Sequence, residues 1–360
     1  MRYVSIDILR TAAIVLMVVV HFLENLAGGN WNVAGFGAPL FTFLAGVSYR
    51  LWVNGLEAKG VDDETISKRS VRRGLFLFAL GVAFNVLVWL PEDTFNWDVL
   101  TLIGTGLLLL NVVRNLPLAV PVVMGLVAFL LGPVLRELAD YPAHWVNGYF
   151  ECDLALADVL VGFLATGYFP VFPWIVYPLA GFVTGSVFFT DEPGAVPPTG
   201  RAALIGAGLV GLSLAALALR AALPDPVPTQ VLRGWTMFPP SVEYVTGTVG
   251  LALLLFSLGH RWIDPAIKGR PLTGLLAVAT TFSRHSLTMY LFHHAAHLWP
   301  LWLYGAAIGT EPTQFWREAV AAEVALLLSG CCLLAGYVLC RWMDRTERAG
   351  IEGWMRHLCD

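Results

Sequence analysis

Residues 5–25 read SIDILRTAAIVLMVVVHFLEN, and the rest of the chain is understood from this stretch. Its apolar run is long enough to be a membrane-crossing helix, placed near 6–26. Wound as a helix, Asp7, Arg10, Ile14, Met17, His21 and Glu24 fall on one stripe, at spacings of 3, 4, 3, 4 and 3. A plain anchor needs none of these polar positions. The helix therefore reads as one wall of a reaction path through a membrane.

Composition supports the same class. Of 360 residues, 57% are hydrophobic and 13% charged, against about 25% charged in soluble domains. The apolar runs are continuous rather than alternating, which selects helices over a barrel. A formal charge of −4 gives no sign of a nucleic-acid partner. Cys331, Cys332, Cys340 and Cys359 cluster at the end of the chain and Cys152 stands alone, so neither a disulfide framework nor a zinc-ligand spacing is visible. The first apolar run lacks a small-residue cleavage site and is taken as retained.

Ten spans are expected, near 6–26, 34–53, 74–90, 98–113, 117–135, 170–189, 201–223, 241–259, 285–305 and 318–340. Shorter apolar segments at 154–166 and 272–282 are expected at the interface or re-entrant. With both termini cytoplasmic, all but Arg136, Arg220, Arg233 and Arg317 of the 22 Lys and Arg lie inside, as the positive-inside rule requires. The expected fold is an all-α, polytopic membrane helix bundle forming one domain over 1–360. The outer segment 136–169 is long enough for a binding or lid role.

His21 lies 11 residues beyond Arg10, or roughly 16 Å along the axis. That depth is past the bilayer middle, where an ionisable group faces a cavity or a partner. Glu24 at i+3 either orients it as a general base or merely pairs with it for packing. In SRHSLTMYLFHHAAHLWPLW (283–302), Ser286, Tyr290, His293 and His297 share a face, and the two histidines reach a similar depth. His294 points elsewhere and is assigned to packing or to the interface, and without a third ligand no metal is expected. Arg10, Arg69, Arg72, Arg73, Lys268, Arg270 and Arg284 form a basic inner rim, which either contacts lipid headgroups or holds phosphates. Asp7 reads as an intrahelical partner of Arg10 or as part of that donor site. Asn85, Trp174, Tyr177 and Glu243 are the further polar or irregular positions that could line a cavity. Gly181 and Gly185 read as a helix-packing pair.

Seven segments carry a family resemblance: the opening helix, PLFTFLAGVSYRL (39–51), KRSVRRGLFLFALGV (68–82), WDVLTLIGTGLLL (97–109), FPVFPWIVYPLAGFVTG (169–185), MFPPSVEYVTGTVG (237–250) and FSRHSLTMYLFH (282–293). In this order they resemble the transmembrane acyltransferases, especially the heparan-α-glucosaminide N-acetyltransferase-like catalytic family. The acyltransferase-3 group is a more distant resemblance. The resemblance implies transfer of an acetyl (acyl) group from cytosolic acetyl-CoA (acyl-CoA) to an amine or hydroxyl of a sugar or glycan-like acceptor. Animal members carry a luminal His after helix one and Asn where this chain has His21. Here Gly29–Asn32 contains no His, so His21 must take over that role.

The expected partners are thus the lipid bilayer, acyl-CoA and a glycan-like acceptor, with homodimerisation open and a prokaryotic cytoplasmic membrane as the location. Arg10, Arg72, Arg73 and Arg284, with Asp7, would hold the donor. His21 and Glu24 would supply the base, and His293 or His297 would stabilise the oxyanion or protonate the leaving thiolate. Asn85, Trp174, Tyr177, Glu243 and Tyr290 would contact the acceptor. A proton-coupled exporter of a polar or lipid-linked glycan, using the same histidines as proton carriers, is the alternative. N- and O-acylation need the same base and are not distinguished.

Overall fold

A computed structural model describes residues 2–29, 34–89, 91–190, 196–224, 227, 232–310 and 315–360. Asn30–Asn32, part of the segment where the family resemblance would place a luminal His, lie outside these residues.

The helices in chain order are α1 (Val4–Ala27), α2 (Gly37–Glu57), α3 (Asp63–Val88), α4 (Val99–Val113), α5 (Ala119–Leu138), α6 (Leu156–Val161), α7 (Val171–Trp174) and α8 (Val176–Phe188). They continue as α9 (Thr199–Leu219), α10 (Val242–Ile267), α11 (Leu275–Arg284), α12 (Ser286–Ile308), α13 (Ala322–Thr346) and α14 (Ile351–Cys359). Every one of the ten expected spans coincides with helix. Seven helical segments among the described residues are long and apolar enough to cross a membrane by length and composition. The protein is an all-α, multi-pass membrane helix bundle. Segments α2, α4 and α12 fall outside those seven, being either short or diluted by polar side chains.

Several boundaries differ from the sequence reading for local reasons. Helix α3 starts at Asp63 rather than near 74 because Asp62 caps it, accepting from Thr65 N at 2.9 Å and Thr65 Oγ1 at 2.7 Å. The basic run Lys68–Arg73 is therefore helical and not a loop. The segment near 154–166 resolves into α6 and a π turn over Gly162–Thr166. An unanticipated hairpin pairs Trp145–Val146 with Tyr149–Phe150. Its turn is Asn147-Gly148, both at positive φ (52° and 81°), the pairing that a two-residue type I′ turn demands. The irregular start expected for the sixth span is present: Phe172 is non-helical (φ −100°, ψ 120°) between α6 and α8.

The chain divides into two compact units, residues 1–41 with 262–358, and residues 42–261. In the first, α1 packs against α11, α12 and α13 around Ile14, Val18, Phe22, Phe282, Met289 and Ala325. The backbone N–H groups of Arg317 and Val320 donate to the carbonyls of Asn25 and Leu26 at 2.7 and 3.1 Å, fastening the approach to α13 onto the end of α1. At the other end of α1, Ser5 N and Oγ donate to Asp264 at 2.9 and 2.7 Å. Glu352 of α14 accepts from Leu287 N (2.6 Å), Thr288 N (2.9 Å) and Thr288 Oγ1 (2.6 Å), filling the N-terminus of α12 with a carboxylate.

In the second unit, Tyr49, Val53, Ile66, Leu110, Ile175 and Phe182 form the core. Here Gly46 and Gly181 let α2 and α8 approach backbone to backbone, and a Cβ on Gly181 would strike the Phe43 carbonyl. The packing role expected of Gly181 and Gly185 follows from this contact. Gly181→Ala is expected to destabilise by about 1–3 kcal/mol, because the obstacle is backbone that cannot rotate aside. Gly208→Ala, where an added Cβ meets nothing, is expected to hold or slightly raise the melting temperature. Thermal unfolding of both variants in detergent tests the contrast.

Candidate functional site

The polar residues of α1 and α12 meet in the first unit. His21 Nδ1 lies 2.9 Å from His293 Nε2, and Asn25 Nδ2 lies 2.9 Å from His297 Nε2. Both pairs follow an i, i+4 spacing on helices running in the same direction, so they form two rungs of one ladder. The far sides of the α12 rings are also engaged. His293 Nδ1 faces the Met289 carbonyl at 3.0 Å, His294 Nδ1 the Tyr290 carbonyl at 3.1 Å, and His297 Nδ1 the His293 carbonyl at 2.6 Å.

These contacts determine the tautomers. A ring nitrogen facing a carbonyl must carry the proton, so each neutral α12 imidazole keeps its lone pair at Nε2. His293 Nε2 then accepts, and His21 must donate from Nδ1. A neutral His21 consequently holds its lone pair at Nε2, where it can take a proton. On the second rung Asn25 donates its amide N–H to His297.

This arrangement corrects three expectations. Glu24 does not orient His21: among the described residues no hydrogen bond joins them, and the imidazole ring is held by His293 instead. A partner on α12 lies in line with Nδ1, which satisfies the ring better than a carboxylate on its own helix. His294 does not point elsewhere. It is buried, with its ring 4.6 Å from His21 and 4.0 Å from His293 between centroids. Neighbouring residues on α12 are about 100° apart, and His21 sits in the angle between them. Among the described residues Asp7 hydrogen-bonds not to Arg10 but to Arg2, at 2.6 and 3.1 Å, and acts on Arg10 only through its charge.

Arg10 instead donates to the Ser283 hydroxyl at 2.9 Å, and Arg284 pairs with Asp344 at 3.0 Å. A cavity of about 250 Å³ at this end is lined by Arg284, Arg348 and Arg356 but equally by Asp344, Glu347 and Glu352, so its charges nearly balance. Tyr290 is buried with its ring 4.9 Å from His294.

The remaining expected site residues belong to the second unit. Arg72 is exposed, and the Arg73 guanidinium lies over the Trp52 ring at 4.3 Å. Asn85 donates to the Thr94 carbonyl at 3.1 Å, and Tyr177 shares a 2.8 Å hydrogen bond with Thr248. Glu243 accepts from Gly234 N at 2.9 Å. Among the described residues, the buried Glu243 Oε2 and Trp174 Nε1 have no hydrogen-bond partner.

Asn25 is the residue that sequence reasoning missed; its i+4 offset from His21, matching His293 and His297, was the available signal. Asn25→Leu leaves His297 Nε2 without its donor and is expected to cost about 1–3 kcal/mol. Adding His297→Leu should recover much of that, since apolar replacement of both partners leaves nothing unsatisfied. Melting temperatures of the double-mutant cycle measure the rung.

Residues 2–218 match the family described as heparan-alpha-glucosaminide N-acetyltransferase, catalytic. No curated protein matches the chain. The match contains α1 with His21 and ends before α12, so the partner histidines lie beyond it. With more than half its length matched, the chain belongs to the heparan-alpha-glucosaminide N-acetyltransferase catalytic family, a family of membrane acetyltransferases.

Proposed function

We propose that the chain, acting as one acyltransferase domain, moves an acetyl group from cytosolic acetyl-CoA to an amine or hydroxyl of a sugar-like acceptor. His21 Nε2 is the general base. The observation that carries this reading is the relay from the Met289 carbonyl through His293 to His21, which leaves the His21 lone pair at Nε2.

In the proposed reaction the acceptor gives its proton to His21 Nε2 as its oxygen or nitrogen attacks the thioester carbonyl. The tetrahedral intermediate collapses with cleavage of the C–S bond. The proton on Nε2 then passes to the departing CoA thiolate, so atoms and charge balance. His293 acts as a positioning residue: its Nε2 accepts from His21 Nδ1 and steadies the imidazolium while the proton is held. His297, with both nitrogens engaged, aligns α12 with α1 rather than touching the oxyanion. In the first unit Arg10 and Arg284 are the groups offered for the donor's phosphates, and in the second unit Arg72 and Arg73 are separate candidates, all suited by guanidinium geometry. Arg284, about half exposed at its side chain, exchanges Asp344 for a phosphate most readily. Tyr290, beside His294, is offered as an acceptor contact in the first unit, and Glu243, with an unengaged Oε2, Trp174, Tyr177 and Asn85 as separate candidates in the second.

Transfer of label from acetyl-CoA by purified protein tests the reading, and a transporter would consume none. His21→Ala is expected to lower kcat by about 10²–10⁴-fold. His293→Ala should lower kcat with the KM for acetyl-CoA unchanged. Glu24→Gln should turn over close to the wild-type rate, because the His21 ring is held from α12. Full activity in folded His21→Ala protein would remove the base assignment.

A further inference from the structure

The spacing of histidines along α12 supplies two metal ligands at most, but the fold brings in a third. One ring nitrogen from each of His21, His293 and His294 lies within 4.8 Å of the other two. We propose that these three side chains form a binding site for a divalent transition metal of the zinc type. We further propose that its occupancy switches acetyl transfer off, the latter part resting on the role given to His21 above.

The fit begins with the tautomers. His293 and His294 each turn Nδ1 toward a backbone carbonyl of their own helix, at 3.0 and 3.1 Å. That is the outer hydrogen bond a ligating imidazole makes, and it places the lone pair of each ring at Nε2, the nitrogen a metal would take over from its present contacts. Both rings are buried, and the α12 backbone fixes where they start. Zn–N bonds of ~2.0–2.1 Å in a tetrahedron separate ligand nitrogens by roughly 3.3 Å. The 2.9 Å contact between His21 Nδ1 and His293 Nε2 therefore opens by a few tenths of an ångström, and the other pairs, within 4.8 Å, close by small rotations of the rings about their side-chain bonds. Three neutral imidazoles suit zinc, copper or nickel and not magnesium or calcium, which take oxygen ligands. A fourth position is left for water.

Binding and base chemistry exclude one another. If the metal takes His21 Nδ1, the ring proton must move to Nε2. If it takes Nε2 directly, the lone pair is spent. Either way Nε2 can no longer accept the acceptor's proton, and the His21–His293 hydrogen bond is lost with it.

The test uses the full-length protein in detergent, with zinc alone and then cobalt(II) as the probe. After chelation and dialysis, wild type is expected to rebind one zinc per chain and, with cobalt, to show the visible absorption of a tetrahedral nitrogen site. His294→Ala and His21→Ala should each weaken zinc binding by at least the ~10–100-fold that losing a mere supporting group costs, while His260→Ala, in the second unit, should bind as wild type. Absence of stoichiometric zinc, or binding that survives both ligand substitutions, overturns the site. For the switch, zinc at saturating concentration should stop label transfer by wild type. Transfer by His294→Ala, compared with its own metal-free rate, should not respond at that concentration. Activity that requires zinc, or equal inhibition of His294→Ala, overturns the switch. If wild type transfers no acetyl either metal-free or with zinc, the acetyl-transfer reading fails while the cobalt spectrum still judges the site.

Discussion

A buried imidazole loses more from a hydrogen bond left unmade than it gains from one made, and this asymmetry arranges the first unit. Three histidines on α12 cover their Nδ1–H groups with carbonyls four residues earlier in the same helix. They therefore present only lone pairs sideways. Helix α1 has to answer with donors at the same rise, and His21 and Asn25 do so one turn apart. A slip of one residue between the helices would set Phe22 and Leu26, or Val20 and the Glu24 carboxylate, against the two lone pairs, and none of these is a donor. The ladder thus fixes register along the path as well as holding the helices together.

The other end of α1 follows the same accounting with charges in place of rings. Asp7 is matched by Arg2, Ser5 by Asp264, and Arg10 by the hydroxyl and carbonyl of Ser283. Thr11 donates to the Ala279 carbonyl at 2.8 Å. Helix α11 is too short to cross a bilayer, yet its carbonyls of Ala279 and Ser283 accept from α1, and that of Thr280 accepts from Arg2 just before α1. Of these, only the Ser283 carbonyl belongs to the last turn, where orphan carbonyls are expected. The short segment is thereby a partner for the N-terminal turns of α1, leaving the later turns for α12.

Much of this was legible because lipid leaves so few choices. Long apolar runs must be helices, and the polar stripe of α1 could be drawn from spacing alone. The level of the histidines followed from counting rise per residue on two co-directional helices. What spacing could not show was which neighbour each polar group would choose. Glu24 and Arg10 lie close in sequence to His21 and Asp7, but His21 is held by His293 across the fold and Asp7 by Arg2, which precedes the helix. His294 was set aside because it lies off the stripe of His293, although a ring entering between two helical positions touches both. The Asn147-Gly148 hairpin was written plainly in the sequence and was obscured only by the apolar segments around it.

The position of His21 also bears on how the family's chemistry can be carried by different residues. At this point of α1 the requirement set by His293 is a donor, since the lone pair at His293 Nε2 is fixed by Met289. An asparagine amide could meet that requirement as well as an imidazole N–H, and Asn25 does so one turn later for His297. The two side chains differ in what remains once the rung is made. Asparagine is left with a carbonyl, which can orient a nucleophile but cannot take its proton at neutral pH. Histidine is left with a basic nitrogen. A chain with Asn at this position would need a base from elsewhere, whereas the His21 ring makes the structural rung and still carries the basic nitrogen proposed above as the base. That economy couples the two roles, because anything that claims the His21 lone pair also disturbs the register of α1 against α12.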